Sequence, residues 1–297
     1  MEGILRVVTL NIGSLLEPEW DRRRHEIVAW IDELEPDVVC LQEVWEDSAH
    51  PNTAEWIAEQ CAVDWHFAFG GNPLGETLWP DPTMRFGSAI LSRWSIEDVT
   101  HVDLPVDPDT HEGEFVHHFP WELLGVRTAG LDVFSTHLAA APYHANHRRL
   151  QVMAIDERIR ERRGDLDASP PPGHKRQAMP AILCGDFNAE PESDEIRYLS
   201  SLATIEGRTT FWQDSWRMAA DGPGYTQDWR TNPIAESMNI NRKRIDYIFV
   251  GDPFQREGGA GRVLSARVVF DEARTGILAS DHFGVTADIV WPQRPAG

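Results

Sequence analysis

Short apolar runs separated by helical stripes restrict this chain more than any other feature. Residues 4–12, 37–42, 88–92, 131–136, 181–184, 245–250 and 285–290 carry these runs, mostly bounded by turn-forming residues. Such segments read as strands. Asp37-Val38-Val39-Cys40-Leu41-Gln42 is almost continuously apolar at its centre, as expected of a strand covered on both faces. Between the runs lie helical signals. Ile27, Trp30, Ile31 and Leu34 form one stripe over 21–34, which Pro36 stops. Asn52 offers a cap to a helix over 52–61, and further helices are predicted over 146–162 and 193–202. Ala129-Gly130 joins strands at 121–127 and 131–136 as a hairpin. This alternation predicts an α/β fold with strands inside and helices outside.

The 297 residues would suffice for two domains, but no repeat or shift of composition divides them. A single domain over 1–297 is expected, with a mobile loop at 164–180 around Pro170-Pro171-Pro172-Gly173. Charge limits the partners. Forty-eight acidic residues against 27 Lys and Arg leave a net charge of -21. Between 25 and 126, twenty-one acidic residues face only Arg85 and Arg93. That field argues against a protein gripping extended nucleic acid through a broad basic surface, although a solubilising acidic face would look the same.

No run of 18 apolar residues is present, so no transmembrane segment is expected, and without an evident secretion signal a cytoplasmic location is expected. Cys40, Cys61 and Cys184 are too few for a disulfide framework, and Cys40 and Cys184 lie in strand-like runs as buried free thiols. Of the twelve tryptophans, Trp30 and Trp56 sit on helical stripes, whereas Trp79, Trp212, Trp216 and Trp229 occupy loop-like positions that could line a pocket.

The chemistry concentrates at the ends of the runs. Asn11 and Glu43 close the first two, His137 closes the run at 131–136, and Asp186 and Asn188 follow 181–184. Asp246 lies inside Arg244-Ile245-Asp246-Tyr247, and Asp281-His282 precedes the last run. Any one of these is an ordinary turn former. Together, carboxylates, amides and imidazoles at strand ends describe a site.

The motifs Thr9-Leu10-Asn11, Leu41-Gln42-Glu43-Val44, Ala89-Ile90-Leu91-Ser92-Arg93, Ser135-Thr136-His137-Leu138, Gly185-Asp186-Phe187-Asn188, Arg244-Ile245-Asp246-Tyr247 and Ser280-Asp281-His282-Phe283-Gly284-Val285 occur in that order. In this the chain resembles the endonuclease/exonuclease/phosphatase superfamily, whose members include deoxyribonucleases, abasic-site endonucleases, neutral sphingomyelinases and inositol polyphosphate 5-phosphatases. The resemblance implies a four-layered α/β sandwich, two mixed β-sheets face to face with helices outside. It also implies hydrolysis of phosphate esters with Mg²⁺ or Mn²⁺. Glu43 would be the metal's carboxylate ligand, with Asn11 and Asp281 completing or supporting that site. Oxygen donors without thiolates suit such a hard cation.

By the same resemblance, Asp186 would orient or deprotonate the attacking water and Asn188 would hold a phosphoryl oxygen. His282 would be a catalytic imidazole oriented by Asp246. His137 matches a histidine of the deoxyribonuclease-like and sphingomyelinase-like branches, and abasic-site endonucleases carry a different residue there. Glu76 is a loop candidate to pair with it. Arg244, Arg148 and Arg149 could reach a substrate phosphate, or could be structural arginines paired with carboxylates. His111, His117 and His118, with His101 nearby, hint at zinc, but their spacing fits no zinc pattern and a solvated loop is the better reading. The expected activity is a metal-dependent phosphodiesterase acting on a small-molecule or phospholipid-headgroup substrate. A DNA or RNA nuclease is the alternative, and a non-catalytic binding protein is remote. Residues 73–80 could touch a membrane or fold over their own core.

Overall fold

The computed structural model describes residues 3–74, 81–110, 115–238 and 241–295. β1 (Ile4–Asn11) leads to α1 (Trp20–Leu34), followed by β2 (Val38–Glu46) and α2 (Thr53–Gln60). β3 (His66–Phe69), β4 (Asn72–Pro73) and β5 (Arg85–Ser92) come next, then β6 (Ile96–Asp103), β7 (Glu122–Thr128) and β8 (Leu131–His137). α3 (Ala145–Arg163) crosses to β9 (Ile182–Asp186), and α4 (Asp194–Leu199) precedes β10 (Trp212–Asp214), α5 (Ser215–Ala219) and β11 (Asp246–Gly251). β12 (Val263–Val269) and β13 (Gly284–Val290) close the chain.

Two mixed sheets result. The first runs β12-β13-β1-β2-β5-β3 with β4 on β5, and the second runs β10-β11-β9-β8-β7-β6. Leu5, Val7, Val38, Cys40 and Ile90 of the first sheet face Leu124, Val133, Ile182, Cys184 and Ile248 of the second. The alternate side chains point outward. Val8, Leu10, Val39 and Leu41 pack on the α1 stripe Ile27, Trp30, Ile31 and Leu34, while Phe134, Leu183 and Phe249 pack with Val152, Ile155 and Ile159 of α3. Strands covered on both faces explain the nearly continuous apolar runs. Shortening one interlayer side chain, such as Leu5→Ala, should cost about 2–5 kcal/mol. The expected four layers are present.

Topology brings the polar strand ends together. β1 and β2 are parallel, as are β8 and β9, so Asn11, Glu43, His137 and Asp186 lie toward the C-terminal ends of their strands. β11 is antiparallel to β9 and β13 to β1, which delivers the start of β11 and the residues before β13 to the same ends. Asp246 and Asp281-His282 arrive there by that reversal.

The hairpin turns at Ala129 (φ 47) and Gly130 (φ 75), both left-handed, as a two-residue turn matching strand twist requires. The 164–180 segment opens with a 3-10 turn at Gly164–Asp167, and Asp167 is held by Arg163 and Arg256. Trp212, expected in a loop, is core in β10, and its indole donates to Asp156. Cys40 and Cys184 are buried free thiols. No helix among the described residues is long and apolar enough to cross a membrane. Glu76, Trp79 and His111, and most of the 73–80 segment, lie outside the described residues.

Candidate active site

On the second sheet, Asp246, Asp186, His137 and Glu122 are successive cross-strand partners, forming one in-register row over four strands. All four face the space between the sheets, by alternation with Ile248, Cys184, Ser135 and Leu124. Gly185 permits the close approach of β9 to β8, since a Cβ there would fall 2.0 Å from the Thr136 carbonyl oxygen. Asp186 is therefore placed with its Oδ2 3.5 Å from His137 Nε2. Its Oδ1 accepts from the Asn188 N–H at 2.8 Å. Asn188 itself is left-handed (φ 49) and donates through its side chain to Leu138 O at 3.0 Å. One N–H of that amide is left for a ligand.

Glu43 reaches the site through a bulge. Cys40 and Gln42 face the interlayer, where Gln42 donates to Ser135 Oγ, so strict alternation would turn Glu43 toward the helices. The β2–β5 register instead shifts between Leu41 and Val44, and Glu43 takes φ 58. Its Oε1 then accepts from Asn11 Nδ2 at 3.0 Å. The same nitrogen lies 3.2 Å from Asp186 Oδ2, so Asn11 bridges the two sheets' carboxylates. Asn11 Oδ1 accepts from the Gly13 N–H, which makes Asn11 a support for Glu43 here.

His282 stands opposite. Its Nδ1 is 3.0 Å from Asp246 Oδ2, and its Nε2 is 3.9 Å from both Asp186 Oδ2 and Asp281 Oδ2. Burial opposes an imidazolium, but Asp246, Asp281 and Asp186 outweigh it and raise His282 well above its ordinary value. Burial pushes Asp246 up to about 6, with Asp186 adding and His282 opposing. Asp246 Oδ1 and His137 Nδ1 are buried without a hydrogen-bond partner among the described residues. Burial, with the charge of Asp281 adding, also raises Glu43 and Glu17. The buried Glu43 carboxylate, with the charge of Asp281 acting on it, offers the oxygen donors that a hard divalent cation takes, so Glu43 and Asp281 fit one. Among the described residues, Asp186, Asp246 and His282 form a cation-sized cluster, with ligand atoms within 4.8 Å of one another.

Arg244 and Arg148 are engaged by carboxylates and main-chain carbonyls of the fold. Arg244 is buried in a bidentate pair with Asp214 at 2.8 and 3.1 Å and lies over the Tyr247 ring. β11 begins only at Asp246, so strand alternation does not extend to Arg244. Arg148 binds Glu195 at 2.9 Å and the carbonyls of Ala139, Ala141 and Pro142, clamping the loop after His137. The histidine loop assembles no metal cluster among the described residues: His101 Nε2 is 2.5 Å from Glu122, and His117 meets Thr110 O.

Several residues of the site were not anticipated. Gln227 Nε2 lies 3.4 Å from His282 Nε2, Thr226 Oγ1 accepts from the Asp246 N–H, and Asn232 holds the Ser280 and Asp281 carbonyls. They sit on a long loop with no periodic pattern, and only the local excess of amide and hydroxyl residues marks it.

A family model described as "Endonuclease/Exonuclease/phosphatase family" matches residues 8–282. No curated protein matches the chain. Among solved structures, an endonuclease/exonuclease/phosphatase from Beutenbergia cavernae is 23% identical, with 97% of this chain and 71% of that chain covered at a TM-score of 0.65. The human Nocturnin catalytic domain with bound sulfate is 19% identical, covering 96% and 93% at 0.65. D. rerio TDP2 complexed with a single-strand DNA product is 18% identical, covering 98% and 100% at 0.65. At these identities the likeness concerns the fold.

Proposed function

Because the chain belongs to the endonuclease/exonuclease/phosphatase family, we propose that it is a divalent-metal-dependent phosphodiesterase acting on a compact phosphate ester. The observation that carries this reading is the meeting of Asp186, His137, His282, Asn11 and Glu43 across the two sheets at one end of the sandwich.

Each residue has a role its contacts support. The His282–Asp246 contact fixes the tautomer with a proton on Nδ1 and favours the charged ring, leaving Nε2–H to face a phosphoryl oxygen. Asp186 is held at one oxygen by the Asn188 N–H and at the other by Asn11, which leaves it able to orient a water and take its proton as the P–O bond forms. The free N–H of Asn188 would donate to a second phosphoryl oxygen. Glu43 and Asp281, with Asn11 in support, would hold Mg²⁺ or Mn²⁺. When bound, the cation supplies positive charge for the phosphoryl and leaving oxygens. Phe119 and Trp121 wall His137 with edge contacts and keep it from bulk water.

The acidic segment over 25–126 favours a small substrate over a long polyanion. A nuclease is the second reading, supported by the relative solved with a single-strand DNA product. A panel of a nitrophenyl phosphodiester and monoester, nucleotides, sphingomyelin and plasmid DNA, with Mg²⁺ and Mn²⁺ varied, tests both. Chelator-sensitive hydrolysis of the small diester is expected. Inactivity on every substrate would refute the proposal, and activity confined to DNA would replace it with the second reading.

A further inference from the structure

Five arginines are buried in the described chain: Arg23, Arg148, Arg163, Arg244 and Arg256. Four of them are matched to carboxylates, namely Glu195, Asp132, Asp214 and Asp167. Arg23 differs. It is 0% exposed, and all its hydrogen bonds go to main-chain carbonyls. Nε donates to Pro18 O, one terminal nitrogen to Ile12 O and Ala279 O, and the other to Ser14 O and Glu17 O, at 2.6–3.1 Å. These bonds occupy the whole five-donor fork.

A buried cation without a bonded counter-ion is costly unless other charge compensates it. The carboxylates whose fields act on Arg23 are those of Asp281, Glu17 and Glu43. The carbonyls it holds belong to two segments. Residues 12–18 follow Asn11, and Ala279 lies two residues before Asp281. Among the described residues, Arg23 is the side chain that bonds both segments.

We propose that Arg23 is the positioning residue of the acidic half of the site: it clamps the segment after Asn11 to the segment before Asp281, and its charge holds Asp281 and Glu43 together before a cation arrives. This rests on the phosphoesterase reading only for the identity of the cation. Lysine in its place would keep the charge but reach at most three acceptors in a different geometry. Methionine would remove both functions. A purely structural arginine would alter stability alone, as Arg256 should, since its partners lie at Asp167, Asp252 and Ala178.

The test is Mn²⁺ binding by titration calorimetry to wild type, Arg23→Lys, Arg23→Met and Arg256→Lys, with thermal unfolding in chelator alongside. Arg23→Lys should weaken Mn²⁺ by about 10- to 100-fold, the usual effect of losing a residue behind a metal ligand. Arg256→Lys should lower Tm and leave Mn²⁺ affinity unchanged. Wild-type affinity in Arg23→Lys, whatever its Tm, would overturn the proposal. Should Arg23→Met not fold, Arg23→Lys decides alone. If wild type binds no Mn²⁺, the cation reading fails, and amide exchange decides the clamp. Arg23→Lys must then speed exchange at 12–17 and 279–282 together, and acceleration of only one segment, or neither, would refute it.

Discussion

His282 Nδ1 lies 3.0 Å from Asp246 Oδ2, and the other oxygen of that carboxylate is buried with no partner in hydrogen-bonding geometry among the described residues. The pair therefore favours function at some cost in stability, because a half-satisfied buried carboxylate destabilises a fold. Asp246→Asn should reduce kcat/KM by about 10²–10⁴ through loss of ring orientation and charge. It should leave Tm unchanged or higher. Steady-state kinetics with a small diester and thermal unfolding of the same preparation check both halves.

The pH dependence follows from the same pair. Asp246 is raised from 3.8 to about 6, and His282 is raised well above 6.5. Activity with ionised Asp246 and charged His282 should rise with pH through about 6 and fall on an alkaline limb above 6.5. For stability, a raised carboxyl helps fully below 3.8 and loses that contribution as pH rises through about 6. Denaturant unfolding from pH 3.5 to 8 should show this decline in wild type and not in Asp246→Asn. A decline of equal size in both would assign it elsewhere.

Arg244 and Arg148 should behave as structural residues. Removing one partner of a buried ion pair typically costs about 3–5 kcal/mol. Arg244→Ala and Asp214→Ala should each lose stability on that scale, with a double-mutant cycle reporting strong coupling. KM of folded Arg244→Ala for a small diester should stay near wild type. A large rise in KM without loss of stability would return Arg244 to substrate binding.

The strand ends were legible in the sequence because the strands between them are apolar on both faces, and their polar neighbours stand out. Asn11, His137, Asp186 and Asp246 are of this kind. The edge strands were not legible. β6 (Ile96–Asp103) is mostly exposed, and its mixed sequence reads as a loop, as does the partly exposed β12 (Val263–Val269). Glu43 reads as the close of the second run but lies inside β2, and the bulge that aims it is set by pairing with β5 rather than by local residues. Arg23 was hidden in the run Arg22-Arg23-Arg24, whose other two members reach solvent and pair locally with Glu19 and Asp21. Arg244 was open between two roles in the sequence, because its partner Asp214 lies 30 residues away and no local pattern marks the pair.

Charge placement predicts how substrates respond to salt. With twenty-one acidic residues against two basic ones over 25–126, turnover of a small diester should vary little with ionic strength. Cleavage of an oligonucleotide, if present, should be weak at low salt and improve as repulsion is screened. A steep fall in oligonucleotide affinity with added salt would instead indicate a cationic binding track.

Asn11, His137, Asn188 and His282 all approach the Asp186 carboxylate, which makes it the centre of the proposed chemistry. The most direct measurement is single-turnover hydrolysis of a nitrophenyl phosphodiester by wild type and Asp186→Asn, each with saturating Mn²⁺ and with chelator. Wild type should show chelator-sensitive turnover, and Asp186→Asn a loss of about 10² or more at matched folding. Undiminished turnover in Asp186→Asn would contradict the proposed chemistry.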